Sequence, residues 1–279
     1  MIIGGREFDT GNKCYIMGIL NVTPDSFSDG GKWFMPDSAL RHAEYMANGG
    51  ADIIDVGGES SRPGHTGISE QEELDRTIPV VEALNSRFDI PLSVDTWKGA
   101  VAATALRAGA SMVNDIWGLK RDPGMAGVIA GSGAACCLMH NRGSIDYTDF
   151  LSDIISDLKA SVVLAGNAGI SAEKIILDPG IGFAKTNGMN LEAINRLDLI
   201  RQLGYPVLLG ASRKSVVGLT LGLPVTERLE GSLAAAVVGV MRGCSFLRVH
   251  DVVETRRAVR MAEAILGTTQ IESGLPDSN

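Results

Sequence analysis

The chain has 279 residues, a length that suits either one large α/β barrel or two small domains. Its 33 acidic and 25 basic residues give a formal charge of −8, which argues against a general electrostatic interaction with nucleic acid or an anionic membrane. The four cysteines lack the spacing of a zinc site or a disulfide framework, and neither a signal peptide nor a membrane-spanning apolar run is evident. We therefore expect a cytoplasmic protein.

Short apolar runs rich in β-forming residues recur along the whole chain. They are continuous rather than alternating, which predicts strands that are covered on both faces, as in a parallel sheet. The eight predicted strands are 15–21, 51–58, 90–96, 111–116, 134–140, 174–180, 205–212 and 245–250.

Segments with helical spacing separate these runs. Ser69 with Glu72 three positions later forms a capping box, and Gly109 and Gly204 lie where glycines commonly end helices. The eight predicted helices are 36–47, 69–88, 98–108, 123–130, 148–168, 191–203, 227–241 and 252–266.

Eight strand–helix units in alternation predict a (β/α)₈ TIM barrel, an α/β fold, as a single domain over 1–279. A doubly wound open sheet is the alternative, but it usually has fewer units. Residues 1–13 hold two short β-prone pieces around a turn and predict a hairpin that covers the bottom of the barrel. Residues 268–279 are expected to form a flexible tail.

Polar residues end the predicted strands, where barrel enzymes carry their chemistry. They are Asn21, Asp55, Glu59, Asp95, Asn114, Asp115, His140, Asp178, Ser212, Arg213, Lys214, Arg248 and His250. A single strand-end Asp is more often a helix cap or turn former than a ligand contact, and we assign Asp55 and Asp115 to such roles. The set as a whole indicates a lining for a flat heterocycle with amino and carbonyl edges, beside an anion site on the last strands.

The stretch "KIILDPGIGFAK" (174–185) leaves two interpretations open: either its glycines cradle a phosphate, or the carboxylate of Asp178 holds the ligand. Two long segments, 21–36 and 57–67, have the Gly, Ser and Pro content of mobile active-site loops, although ordinary surface loops share it. Arg62 in the second loop is well placed to reach a phosphate.

Several motifs together resemble dihydropteroate synthase in order and spacing. They are "GILNVTPDSFSDGG", "IIDVGGESSRPG", "SVDT", "NDI", "CLMH", "LDPGIGFAK", "GASRKSVVG" and "RVHDV", and the resemblance runs from about Tyr15 to Leu266. It implies a (β/α)₈ barrel, usually a homodimer, that joins 6-hydroxymethyl-7,8-dihydropterin diphosphate to p-aminobenzoate in the presence of Mg²⁺. The products are 7,8-dihydropteroate and pyrophosphate, on the pathway to folate, and sulfonamides imitate p-aminobenzoate.

The resemblance also implies roles for individual residues. Asp95, Asn114, Asp178 and Lys214 correspond to pterin-binding residues, and Asn21, Arg62, Arg248 and His250 to diphosphate-binding residues, with Asn21 also at the metal. Ser61, Arg62, Phe183 and Ser212 correspond to the p-aminobenzoate site, and Arg62, Lys214, Arg248 and His250 carry the catalytic roles. Ala184 departs from the family, in which Gly is common at this position.

Three other functions remain possible from the residues. A barrel aldolase would use Lys214 as a Schiff base, but that lysine follows Ser212 and Arg213 at a polar mouth. A pterin-binding methyl-transfer module would share Asp95, Asn114 and Asp178 but has no use for both "SSRPG" and "SRK". An inactive pterin-binding paralogue is disfavoured by the intact cationic residues.

Overall fold

The computed structural model describes residues 1–23, 35–59 and 67–268. Over these ranges the strands are β1 (Ile2–Ile3), β2 (Arg6–Glu7), β3 (Tyr15–Asn21), β4 (Ile53–Gly57), β5 (Leu92–Asp95), β6 (Met112–Asp115), β7 (Ala135–Met139), β8 (Ile175–Asp178), β9 (Leu208–Leu209) and β10 (Phe246–Val249). The helices are α1 (Met35–Asn48), α2 (Glu70–Arg87), α3 (Gly99–Ala108), α4 (Met125–Ser132), α5 (Phe150–Asn167), α6 (Asn187–Asn195), α7 (Leu197–Arg201), α8 (Ser215–Leu221), α9 (Leu229–Met241) and α10 (Val252–Leu266).

In the described ranges, eight parallel strands form one sheet in the order β8-β7-β6-β5-β4-β3-β10-β9. A parallel bridge between Leu177 of β8 and Val207, just before β9, joins the two ends of the sheet, and Leu177 N donates to Pro206 O at 2.9 Å. The sheet therefore closes into a barrel with helices outside it. The predicted (β/α)₈ TIM barrel is confirmed, and the open-sheet alternative is wrong.

The N-terminal hairpin closes the bottom of this barrel. β1 and β2 pair antiparallel, with Ile3 opposite Arg6. Ile3 and Phe8 are buried in one cluster with residues from the lower halves of the strands, among them Met17 and Phe246. The two aromatic rings of Phe8 and Phe246 lie 5.8 Å apart between centroids. The predicted hairpin is confirmed, and its apolar side chains fill the end of the barrel opposite the strand C-termini.

Capping residues in the sequence correctly predicted the start of α2 and the end of α3. Ser69 caps α2 by accepting from Glu72 N at 3.2 Å, and Gly109 ends α3 in the left-handed region at φ 118°. The helix predicted over 191–203 is in fact two helices, α6 and α7, because α6 begins earlier, at a cap formed by Thr186, and the backbone breaks at Arg196. Helix α8 was not predicted.

Some predictions concern residues outside the described ranges. These include the middle of the first loop (24–34), most of the second loop (60–66) and the tail from 269 onward. Over the ranges that are described, no helix is both long and apolar enough to cross a membrane. The four cysteines are buried and form no disulfide.

Candidate active site

A cavity of 470 Å³ opens at the C-terminal ends of the barrel strands. Predicted site residues from several of these strand ends line it together: Asn21, Phe183, Ser212, Lys214, Arg248 and His250. The parallel sheet explains this convergence, because all its strands end at the same rim. Asp95 and Asp178 end β5 and β8, Asn114 is the penultimate residue of β6, and all three are buried beside the cavity residues.

Arg248 is the centre of a buried ionic cluster. Its Nε donates to Asp55 Oδ2 at 2.6 Å, and its Nη2 donates to Asp95 Oδ2 at 2.7 Å. Asn114 Nδ2 lies 3.5 Å from the same oxygen of Asp55, whose side chain is completely buried. The assignment of Asp55 as a cap or turn former is therefore wrong: it lies within β4 and pairs with a residue on β10. The same assignment for Asp115 is confirmed, since it accepts from Trp117 N and Leu119 N.

Burial and pairing act in opposite directions on these charges. Burial raises the pKa of Asp95 to about 7, against the opposing effect of Arg248 and with a further contribution from Asp55. Burial disfavours the charge of Arg248, but Asp55 and Asp95 outweigh it and raise the pKa of the guanidinium above its ordinary value. A pKa of about 7 places the midpoint of the titration of Asp95 close to neutral pH.

Asp178 and Lys214 face each other across Gly210. A Cβ built on Gly210 would lie 3.8 Å from Asp178 Oδ2, 3.7 Å from Lys214 Nζ and 3.8 Å from Arg248 Cβ, so the absent side chain leaves room between these groups. Burial lowers the pKa of Lys214 to about 8 although Asp178 opposes the shift. Burial likewise raises the pKa of Asp178, with Lys214 as the largest opposing influence.

The glycine-rich turn after Asp178 is not a phosphate cradle. Gly180 N donates to Asp178 Oδ1 and Gly182 N to Asn190 Oδ1, both at 2.6 Å, while Phe183 N donates to Gly180 O at 3.1 Å. These amide groups are bonded within the protein, so they are not presented to an anion as a phosphate loop presents them. Of the two interpretations of this stretch, these bonds disfavour the phosphate cradle, and ligand binding by the carboxylate of Asp178 stays a prediction.

The outer part of the cavity combines an aromatic ring with hydroxyl and imidazole groups. Lys214 Nζ lies 5.0 Å from the centroid of the Phe183 ring. Ser212 Oγ lies 3.0 Å from His250 Nδ1 and accepts from His250 N at 3.2 Å. These contacts tie the strand ends of β9 and β10 together and place the cation of Lys214 against an aromatic surface.

Asn21 ends β3 at the rim, next to Asp95. A Cβ built on Gly57 would lie 3.7 Å from both Asn21 Oδ1 and Asp95 Oδ2. Within the described part of the chain, no group of three or more His, Cys, Asp or Glu could hold a metal ion. The predicted residues Ser61 and Arg62 lie outside the described residues.

Lys185 was not assigned a role from the sequence, and His140 was included only in the set of polar strand-end residues. Lys185 Nζ contacts His140 Nδ1 at 2.9 Å and is buried beneath the turn that follows Asp178. The sequence offered one indication of this contact, the lysine at the end of the "GIGFAK" stretch. The position of His140 beside that lysine arises only from the pairing of β7 with β8.

The chain resembles known proteins over nearly its whole length. Residues 17–250 match the sequence profile of a family described as pterin binding enzymes. A dihydropteroate synthase of Clostridium beijerinckii is 54% identical over 267 residues, which cover 95% of this chain and 99% of that protein. The crystal structure of a Clostridium difficile dihydropteroate synthase in the presence of pteroic acid aligns with a TM-score of 0.91 at 50% identity, covering 93% of this chain and 99% of the other. A Yersinia pestis dihydropteroate synthase in a sulfonamide drug complex aligns with a TM-score of 0.90 at 44% identity, covering 96% and 99%.

The match over residues 17–250 shows that the chain belongs to the pterin binding enzyme family. The barrel, with its Asp–Asn–Asp set and its cations at the strand ends, agrees with this assignment. The identities to the relatives extend over more than nine-tenths of the chain. Within the family the chain is therefore a member of the dihydropteroate synthases, which are transferases of folate biosynthesis.

Proposed function

We propose that the cavity at the barrel mouth binds 6-hydroxymethyl-7,8-dihydropterin diphosphate and p-aminobenzoate, and that the residues around Arg248 and Lys214 catalyse their condensation. The observation that carries this proposal is the buried set of Asp95, Asn114 and Asp178 beside two cations at one rim. The products would be 7,8-dihydropteroate and pyrophosphate.

The pterin ring would lie against the inner polar groups. Its amino and ring N–H groups are donors, and the carboxylates of Asp178 and Asp95 are acceptors, while the amide of Asn114 can both donate and accept. Lys214 can donate to the carbonyl edge of the ring. The cavity also lies over Gly210, where a side chain would come within contact distance of Asp178 and Lys214.

The diphosphate would lie at the outer end, near Arg248, His250 and Asn21. Two donor groups of Arg248 are engaged by Asp55 and Asp95, which hold the guanidinium in one orientation while the residue still lines the cavity. Charge develops on the departing diphosphate, and cations held in place stabilise it without reorganisation. Arg62 is proposed to act with them from the second loop.

The residues at this end of the cavity are compatible with Mg²⁺. The magnesium ion usually keeps several waters and is bound by one or two protein oxygens together with substrate phosphates, so the single amide oxygen of Asn21 is a suitable donor. The chemistry supplied by a bound Mg²⁺ is neutralisation of charge on the diphosphate oxygens. We therefore propose Asn21 as its protein contact.

p-Aminobenzoate would enter over Phe183 and Ser212, with Ser61 and Arg62 proposed as further contacts. The aromatic ring of Phe183 offers a stacking surface, and Ser212 is fixed by its hydrogen bonds with His250. An aromatic amine is a nucleophile when neutral, so its attack on the methylene carbon of the pterin requires no dedicated base. Asp95 and Asp178 would stabilise positive charge on the ring as the diphosphate leaves.

One assay tests this function directly. The protein is incubated with the pterin diphosphate, Mg²⁺ and p-aminobenzoate, and formation of dihydropteroate is followed by chromatography. Product that depends on all three components supports the proposal. Tight pterin binding without product would instead indicate an inactive paralogue or a methyl-transfer module.

We also propose that the protein acts as a homodimer in the cytoplasm. Exposed apolar side chains are concentrated on helices α6, α8 and α9, among them Leu191, Leu219, Leu221, Val238 and Met241. A groove of 290 Å³ runs between these helices and is lined almost entirely by apolar groups. Contiguous apolar surface of this kind is typical of protein interfaces.

A further inference from the structure

Lys185 is a buried lysine close to the proposed site but outside the cavity. Its ammonium group contacts three neutral acceptors: His140 Nδ1 at 2.9 Å, Gly180 O at 3.0 Å and Phe183 O at 3.0 Å. An ammonium group has three N–H donors, so these acceptors match its capacity. The two carbonyl groups belong to the turn between Asp178 and Lys185, and the imidazole belongs to the loop that follows β7.

His140 is suited to accept this hydrogen bond. It is completely buried, and burial, followed by the nearby charge of Lys185, lowers its pKa to about 3. Its Nε2 lies 3.1 Å from Asp157 Oδ2, which calls for a proton on Nε2 and leaves the lone pair of Nδ1 for Lys185. Asp157 in turn accepts from Arg142 Nε at 2.6 Å. A continuous chain of hydrogen bonds therefore runs from the protein surface to the turn.

Other side chains bond the turn at other positions, and Asn190 joins Gly182 to the carbonyl groups of Lys185 and Thr186 at the end of the turn. Lys214 Nζ donates to Ile181 O at 2.7 Å, Gly182 N donates to Asn190, and Tyr147 Oη donates to Ala184 O at 2.9 Å. Among the described residues, Lys185 is the side chain that joins the start of the turn, at Gly180, to the carbonyl of Phe183. Asp178 is held independently, because it lies in β8 and its carbonyl accepts from His140 N at 2.9 Å.

We propose that Lys185, held by His140, is a positioning residue that presents the ring of Phe183 to p-aminobenzoate. The inference rests on the proposed function of Phe183 and assigns the lysine no contact with substrate. Without the bonds from Lys185, the carbonyl of Phe183 would lose a donor and the ring would shift, while Asp178 would keep its place in the sheet. The effect should therefore fall on p-aminobenzoate and not on the pterin.

The test compares Lys185→Met, which keeps an unbranched side chain as far as Cε but removes the donors of Nζ, with Phe183→Ala and the double variant. Both KM values and kcat are measured at a temperature at which melting curves show each variant folded. For Lys185→Met we expect the KM for p-aminobenzoate to rise about tenfold to a hundredfold, as misplacement of a contact group does, with the KM for the pterin diphosphate within about threefold of the parent. In the Phe183→Ala background the same change should add less than about threefold, because residues that act through one another are not additive.

A pair of substitutions at His140 provides an independent test. In His140→Asn, the side-chain oxygen can occupy the position of Nδ1 and accept from Lys185, so the KM for p-aminobenzoate should stay near that of the parent. His140→Leu removes the acceptor and should behave like Lys185→Met. Leu84→Ala, at a completely buried position of α2, serves as the control for general destabilisation and should leave both KM values unchanged.

The outcomes separate this inference from the proposed function. If Phe183→Ala raises the KM for p-aminobenzoate but Lys185→Met and His140→Leu do not, the positioning role is wrong and the proposed site stands. An equal rise of both KM values in Lys185→Met would show a general structural role and also overturn the inference. If Phe183→Ala itself has no effect, the proposed role of Phe183 fails and the inference fails with it.

Discussion

Replacing Asp178 with Asn tests whether its carboxylate accepts hydrogen bonds from the pterin ring. The side chain is buried, and its Oδ1 accepts from Gly180 N at 2.6 Å, while its Oδ2 lies on the side of Gly210 and Lys214. Asparagine can keep the bond to Gly180, but its amide nitrogen then replaces the second oxygen. A donor would face the donors of the pterin ring where an acceptor stood before.

The structure indicates a large loss of binding and a small change in folding stability. Removing one partner from a buried charged hydrogen bond costs about 2–5 kcal/mol of binding free energy. This corresponds to an affinity roughly 30-fold to several-thousand-fold weaker, since every 1.4 kcal/mol is about tenfold. The free energy of unfolding should change by only about 1 kcal/mol, because the Gly180 bond is kept and a neutral amide has a lower burial cost than a carboxylate.

Asp115→Asn is a matched control for this experiment. Asp115 is also a buried aspartate at a strand end and accepts from two backbone amides, at 2.9 Å and 2.7 Å, but it serves a turn and not the cavity. Calorimetric titration with 6-hydroxymethylpterin measures affinity, and urea unfolding measures stability. Unchanged pterin affinity in Asp178→Asn, or an equal loss in Asp115→Asn, would refute the assignment.

Four further predictions follow from the described residues. Pterin affinity should fall about tenfold per pH unit below pH 7, because the pKa of Asp95 is about 7 and its protonation removes the acceptor that the ring needs. Calorimetric titrations with the pterin between pH 5 and 8 measure this dependence. His250→Ala should weaken binding of the pterin diphosphate but not of the pterin alcohol, as measured by calorimetry, whereas Arg248→Ala should weaken both because Asp95 loses the cation that lowers its pKa. Ala184→Gly should raise the free energy of unfolding by roughly 0.5–1 kcal/mol in urea titrations, because Ala184 has φ 44°, where glycine is less strained. Leu221→Glu, at an exposed position of α8 that lines the apolar groove, should convert a dimer to monomers in sedimentation experiments.

Each of these predictions has a control and a contradicting result. Asp95→Asn should abolish the pH dependence, and a slope that persists in this variant would locate the titrating group elsewhere. Equal loss of affinity for both pterin ligands in His250→Ala would show that the anion binds elsewhere. Ala103→Gly, in the middle of α3, should destabilise by roughly 1 kcal/mol, so a similar loss in Ala184→Gly would contradict the strain argument. Val163→Glu, at an exposed position of α5, should leave the oligomeric state unchanged. Loss of the dimer in both Glu variants would contradict the assignment of the dimer interface to α8.

Much of the fold and of the site could be predicted from the sequence because the relevant signals are local. Continuous apolar runs predicted the barrel strands, and the capping box at Ser69 predicted the start of α2. Asp95, Asn114 and Asp178 were recognised because barrel strands present their last residues at one rim, so the position in the sequence already implies the position in space. The ligand-binding roles of these residues, like those of Ser61 and Arg62, remain predictions.

Other features were decided only by the tertiary structure. Asp55 was read as a cap, yet it pairs with Arg248, which is 193 positions further along the chain, and no local pattern encodes an ion pair between β4 and β10. Lys185 meets His140 because β7 and β8 are neighbours, and burial then shifts both of their pKa values. Local sequence determines which residues can bend, cap or extend the chain. Which charges meet in the interior depends on the closure of the barrel, since pairing and desolvation arise only once the strands lie side by side.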